Sequence, residues 1–211
     1  MSSLPTVHTV VMRVWLPDRL GALGQVASRI GAVKGDVLDI EVLETGGGRA
    51  VDELVIALPD DGVVDLMVSE VHAIDGVSVE HVRVVDGDHK DGGLMALALA
   101  AELAETKPDA RLDSLLDAVA KITEAGWVLA ARGPETVARR GDAPSADWLH
   151  SLLAGSRHLG DPHATASDMF WSDMPASNLW LAAGRKDRPV HVRERVRLDL
   201  FVRIADTLLV G

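Results

Sequence analysis

The segment Leu16-Pro17-Asp18-Arg19-Leu20-Gly21-Ala22-Leu23 holds residue types that can seat a small charged ligand at the mouth of a helix. Asp18 is spaced to cap that helix by accepting from N–H groups two or three residues on, and Gly21 removes a side chain where an approaching ligand would collide. Free N–H groups and the positive end of the helix dipole would then face a carboxylate. A second cluster, Arg157-His158-Leu159-Gly160-Asp161-Pro162-His163, gathers two histidines and an aspartate. It has neither a helical i, i+4 pair nor a short three-residue spacing, and Pro162 prevents a regular element, so it reads as a solvated loop with no metal site. A third, with Arg185, Lys186, Arg188, Arg193, Arg195, Arg197 and Arg203, places seven positive charges against three negative ones over residues 185–203. It reads as a solvated helix face, with a docking surface for the acidic N-terminal region as the sharper alternative.

What is missing narrows the chemistry further. The 211 residues include no Cys, which removes disulfides, thiolate metal sites and cysteine nucleophiles together. No nucleophile elbow, phosphate-binding Gly-Lys-Ser/Thr loop or Rossmann fingerprint occurs. The net charge is −11, with 7 basic and 15 acidic groups in residues 1–90, and the chain has no Tyr and two Phe. Nucleic acid is therefore discounted as a partner, since both phosphate attraction and stacking surface are lacking. No apolar run approaches the ~20 residues that span a bilayer, and no basic-then-apolar leader opens the chain, so a soluble cytoplasmic protein without membrane contact is expected.

The elements that must position these groups follow from periodicity. Residues 7–16 are rich in β-branched and apolar side chains and end at Pro17, as a strand would. Leu23, Val26, Ala27 and Ile30 then form one stripe of a helix. Residues 36–44 alternate, with Leu38, Ile40 and Val42 on one side, as in a half-buried strand. Across a Gly-rich turn, 49–58 reads as its hairpin partner. A helix on Val63, Leu66, Met67, Val71 and Ile74 and a strand at 77–85 complete a βαββαβ order, in which a four-stranded antiparallel sheet carries both helices on one face and leaves the other bare.

Residues 87–93 have almost no apolar content and mark a linker. Leu94 to Glu105 then reads as a helix apolar around most of its circumference, and Leu112 to Ile122 as an amphipathic one. Strands at Trp127–Arg132 and Glu135–Arg140 follow, then a helix capped by Ser145, further strand-like pieces near Met169–Ser172 and Leu179–Gly184, and a long terminal helix. That last helix carries one stripe of Val192, Val196, Leu200, Ile204 and Leu208 and another of Arg195, Asp199 and Arg203. Trp148, Trp171 and Trp180 are expected in the core.

The Asp18-Arg19-Leu20-Gly21-Ala22-Leu23 turn, followed by Gly35-Asp36-Val37-Leu38-Asp39-Ile40 within residues 8–86, resembles the ACT domain, a regulatory module that binds amino acids. The resemblance implies that copies pair through their sheets, with ligand between Asp18, Arg19, Leu20, Gly21, Ala22 and Leu23 of one copy and Asp36, Val37 and Leu38 of the other. Where many members have Pro and Asn, Leu20 and Asp36 stand here, and an anionic Asp36 suits an amino group rather than a carboxylate. Residues 94–211 resemble a GAF domain in the order and length of their elements. The expected architecture is thus α+β, with an ACT-type ferredoxin-like domain at 1–86, a linker at 87–93, and a GAF-like domain with a central antiparallel sheet at 94–211. The expected function is non-enzymatic: a regulatory protein that binds a small amino-acid-like effector, uses no cofactor or metal, and forms a homodimer or joins a protein partner. The alternatives are a ligand-free homodimeric interaction module and an enzyme working from the C-terminal pocket. The dimer follows from the uncovered sheet face and from Leu94, Leu97, Leu99 and Leu103, which one flanking helix cannot fully bury.

Overall fold

The computed structural model describes residues 8–85, 91–157, 168–186 and 188–211. The chain divides into two compact units, Met1–His89 and Lys90–Gly211. The loop histidines His158 and His163 with Asp161, and residues 86–90 of the linker region, lie outside the described residues.

The first unit runs β1 (His8–Pro17), α1 (Ala22–Ala32), β2 (Asp36–Gly46), β3 (Arg49–Leu58), α2 (Val64–His72) and β4 (Ser78–Val85). Its sheet order is β2-β3-β1-β4 with every neighbouring pair antiparallel, the ferredoxin-like arrangement. The two-residue period of β1 turns Val10, Met12, Val14 and Leu16 toward the helices, where they meet Leu54 and Ile56 of β3, Val26 and Ile30 of α1, and Met67 and Val71 of α2. Each such side chain contributes ~1.5–3 kcal/mol on burial, so this face sets the register. Gly47 and Gly48, both at positive φ, make the two-residue turn that returns β2 into β3.

The opposite face of this sheet is not bare, contrary to expectation. Arg13 is almost fully buried and its Nε lies 2.5 Å from Glu53. The Trp15 indole donates to Glu80 at 2.8 Å, and the Arg49 guanidinium sits 5.5 Å from the centre of the Trp15 ring. Val51 and Val55, next to these groups in the sheet, are buried as well. β2 also departs from simple alternation. It is an edge strand bulged at Leu38 and at Leu43; Leu43 is buried while Leu38, Ile40 and Val42 remain exposed.

The second unit comprises α3 (Gly92–Glu105), α4 (Arg111–Thr123), β5 (Trp127–Arg132), β6 (Glu135–Arg140), α5 (Ala146–Arg157), β7 (Met169–Met174), β8 (Leu179–Gly184) and α6 (Val192–Val210). Its antiparallel sheet has the order β6-β5-β8-β7. Val128, Ala130, Phe170, Leu181 and Ala183 pack toward α3, α4 and α6, while Leu129, Ala131, Trp180 and Ala182 pack toward α5. The layers are therefore helices, sheet, helix. The Asp91 carboxylate accepts from the Leu94 N–H at 2.7 Å and starts α3 at Gly92, so Gly92 and Gly93 are helical rather than linker.

Three expectations are corrected in this unit. Trp148 is exposed, because α5 turns Leu149 and Leu153 to the sheet and leaves Trp148 beside that stripe; Trp180 is buried, its indole donating to the Gly133 carbonyl at 2.8 Å. Of the four α3 leucines, Leu99 and Leu103 are buried and only Leu94 and Leu97, each 65% exposed, face outward. The arginine-rich segment is a solvated face only in part: Lys186, Arg193 and Arg203 are exposed, whereas Arg185, Arg188 and Arg195 are buried. Arg185 forms a two-pronged bond to Glu194 at 2.8 and 2.7 Å and donates to the carbonyls of Thr123, Pro189 and Arg188. Glu194 also accepts from the His191 N–H at 3.0 Å, and Arg195 donates to the Met169 carbonyl at 2.8 Å.

This buried polar framework decides which way α6 faces. Glu194, Arg195, Leu198, Phe201, Val202, Ala205 and Asp206 point inward, and Asp206 accepts from the N–H groups of Ala176 and Ser177 that turn β7 into β8. The apolar stripe Val192, Val196, Leu200 and Ile204 is consequently 46–53% exposed.

Candidate functional site

The turn from β1 to α1 is built differently from the capped start that its residue types suggest. Asp18 makes no side-chain cap; its backbone N–H donates to the Gly48 carbonyl at 2.9 Å and ties the turn to the β2–β3 hairpin. The residue at the cap position is Gly21, at φ +84°, which makes no side-chain cap. A left-handed residue there serves the chain reversal, which explains the glycine by backbone geometry as well as by access.

Between this turn and the hairpin lies an open pocket of about 560 Å³. Leu16, Leu20 and Leu23 supply apolar wall from the turn, Val42 and Thr45 come from β2, and Asp52 comes from β3. Asp18 and Arg19 add exposed charge of opposite sign at the same turn. Asp52 is the unusual member. It occupies the helix-facing side of β3 between Ala50 and Leu54, in register with Val14 on one side and Val42 on the other. Only 3% of it is exposed, and its Oδ1 is buried with no hydrogen-bond partner. Burial, and then the negative charge of Asp18, push its carboxyl above the usual carboxylate range.

The residues singled out in the sequence divide into three groups. Asp18, Arg19, Leu20, Gly21 and Leu23 line the pocket. Ala22 does not; it is 1% exposed and belongs to the core beneath α1. Asp36, Val37 and Leu38 open β2, where Asp36 pairs with Ala57, whereas Pro17 pairs with Arg49 at the other end of β3. Arg49 and Ala57 stand eight positions apart on β3, about 27 Å along the sheet, so the two segments do not meet within one chain. Asp52, Val42 and Thr45 escaped the sequence reading. Its signal was nevertheless present, because an aspartate interrupts the apolar set Ala50, Leu54, Ile56 and Leu58 on one face of a strand.

The second unit carries a cavity of about 420 Å³ between β7 and α6, lined by Trp171, Ser172, Asp173, Arg195, Asp199 and Arg203 among others. Acidic and basic groups alternate there, and among the described residues that line it no histidine accompanies Ser172. Among the described residues no three His, Asp or Glu side chains are grouped to hold a metal, and no helix is long and apolar enough to cross a membrane.

No protein-family model matches the chain, and no curated protein matches it. Distant likenesses appear among solved structures. The ACT domain of a GTP pyrophosphokinase from Chlorobium tepidum is 15% identical, with 41% of this chain and 94% of that one covered and a TM-score of 0.31. An uncharacterized protein from Thermotoga maritima is 18% identical over 38% of this chain and 99% of its own, with a TM-score of 0.31. A proposed glycine cleavage system transcriptional repressor is 8% identical over 85% of this chain and 79% of its own, again at a TM-score of 0.31. The neighbours thus include an ACT domain and a regulatory protein, and the chain itself has an α+β structure with two four-stranded antiparallel sheets.

Proposed function

We propose that the protein is a non-enzymatic regulator whose first unit binds a small amino-acid-like effector and whose second unit, of GAF-like type, assembles a homodimer. The observation that carries the effector reading is the pocket at the β1–α1 turn, where charges of both signs from Asp18 and Arg19 flank apolar wall from Leu16, Leu20 and Leu23. A small zwitterion with an apolar side chain matches that pattern. Asp36, Val37 and Leu38 would reach such a ligand only from a second copy.

Titration of the full chain against the twenty amino acids, read as thermal stabilisation, tests this reading: a binder stabilises by RT ln(1 + [L]/Kd). Silence of the whole panel at millimolar concentration would sink it. The reading as a purely structural module draws on a different feature, the outward apolar face of α3 and α6 formed by Leu94, Leu97, Val196, Leu200 and Ile204. A paired Leu97→Asp and Leu200→Asp variant should convert a dimer to the 22.5 kDa monomer while the circular dichroism spectrum is unchanged. A wild-type protein already monomeric in light scattering would remove the assembly role.

A further inference from the structure

We infer that Asp52 is a ligand-binding carboxylate, and that the pocket beside it takes an organic ammonium group carried on a small apolar body. The inference rests on the effector reading for its location but names a residue and a charge that this reading does not. Three observations converge, two on Asp52 itself and one on the neighbouring turn. Asp52 stands on the core-facing side of β3 with Oδ1 buried and unpartnered, whereas buried carboxylates are ordinarily satisfied by hydrogen bonds or a counter-charge. Although only 3% of it is exposed, Asp52 is among the residues that line an open pocket rather than a closed core. The neighbouring acid, Asp18, adds negative potential to the same space, which opposes an anionic ligand group at this end and favours a cation.

The identity of that cation follows from the remaining wall. A hard metal ion needs about six oxygen ligands, and the pocket offers Asp52, Asp18 and the Thr45 hydroxyl besides backbone. Leu16, Leu23 and Val42 offer nothing to a hydrated ion but cover the carbon atoms of an amine. An ammonium has three donors, matching a carboxylate that has lone pairs to fill. Arg19 is the other charge of the pocket and, being exposed and bonded to Gln25 at 3.3 Å, is placed at the turn rather than on the strand that carries Asp52.

The test uses the full chain and small probes that separate the charges: n-butylammonium and the carboxamides of apolar amino acids, which keep the ammonium, against butyrate and N-acetylated amino acids, which lack it. Ammonium probes should raise the melting temperature and the others should not. Asp52→Asn should weaken the ammonium probes roughly tenfold or more, as expected when one side of a charged hydrogen-bonded pair is neutralised. If that variant does not fold, Val42→Arg serves instead. Val42 is half-exposed and directly opposite Asp52 in register, so an arginine there supplies the missing counter-charge and should abolish binding. Equal binding of butyrate, unchanged affinity in Asp52→Asn or Val42→Arg, or silence of every ammonium probe would each overturn the inference. Binding of ammonium probes through Asp52 with no response to any free amino acid would keep this site and remove the effector reading. An amino acid bound equally by wild type and Asp52→Asn would do the reverse.

Discussion

Each unit buries a carboxylate, and the two are treated in opposite ways. Glu194 meets both prongs of Arg185 and the His191 N–H, while Arg185 in turn reaches three carbonyls and lies 5.3 Å over the Phe170 ring. Asp52 has one oxygen buried with no partner at all. A satisfied buried pair gives geometry: it holds the start of α6 against β8 and thereby forces one stripe of the helix in and the other out. An unsatisfied one gives chemistry, because the desolvation cost is already present before a counter-ion arrives. The contrast separates a structural charge from one available for binding, although both are aspartate or glutamate at similar depth.

The largest effect should come from breaking the satisfied pair. Glu194→Ala leaves the Arg185 guanidinium buried without its counter-charge, a loss of about 3–5 kcal/mol. Hydrogen exchange should show faster opening of α6 and β8 with the first unit's sheet unaffected. Uniform protection throughout would mean that the pair does not organise its unit.

Gly21→Ala should cost about 1–2 kcal/mol in the first unit, measured by denaturant unfolding. A Cβ at Gly21 meets nothing within 4 Å, so the loss is backbone strain at φ +84° rather than collision.

The smallest effect is also the one with the sharpest sign. Asp52 holds its proton more tightly in the folded chain than in the unfolded one. As pH rises from the ordinary carboxylate value, 3.8, through the raised folded value, the folded state gives up a proton it had kept, and stability falls until both states are ionised. Asp52→Asn should remove that decline and gain about 1 kcal/mol at neutral pH, the order expected for relieving a buried unsatisfied charge. Unfolding midpoints measured from pH 4 to pH 8 should cross over, wild type declining relative to the variant; parallel curves would mean that Asp52 binds its proton equally in the folded and unfolded chain and that burial does not penalise its charge.

Much of the architecture was legible in residue spacing. The short apolar and β-branched runs of β1, β3 and β5 are bounded by Pro and Gly, and the Gly-rich turns between β2 and β3 and at Gly133 fix the hairpin pairings. The orientation of α6 was not, because periodicity separates Val196 and Leu200 from Arg195 and Asp199 without saying which stripe is buried. That decision is made by Arg185 and Glu194, which are nine residues apart and whose bond depends on the closing of the sheet. Asp18 likewise satisfies the spacing of a helix cap, yet the hairpin carbonyl of Gly48, thirty residues away in sequence, claims the turn instead. Of the site, the residues contiguous with the turn could be read directly, and Asp52 could be noticed only as a charge out of phase with its strand.

The two bulges of β2 bear on how the folded chain behaves at high concentration. An edge strand of eleven residues with Leu38, Ile40 and Val42 exposed would ordinarily template the addition of further strands. Bulging at Leu38 and Leu43 leaves Asp39 to Val42 as the longest stretch in unbroken register, and two of those four residues are acidic. Dry cross-β interfaces need uncharged segments of about six or seven residues. The irregularity of this strand thus acts as a solubility device, stopping sheets of neighbouring molecules from growing into one another while the native pairing with β3 stays intact.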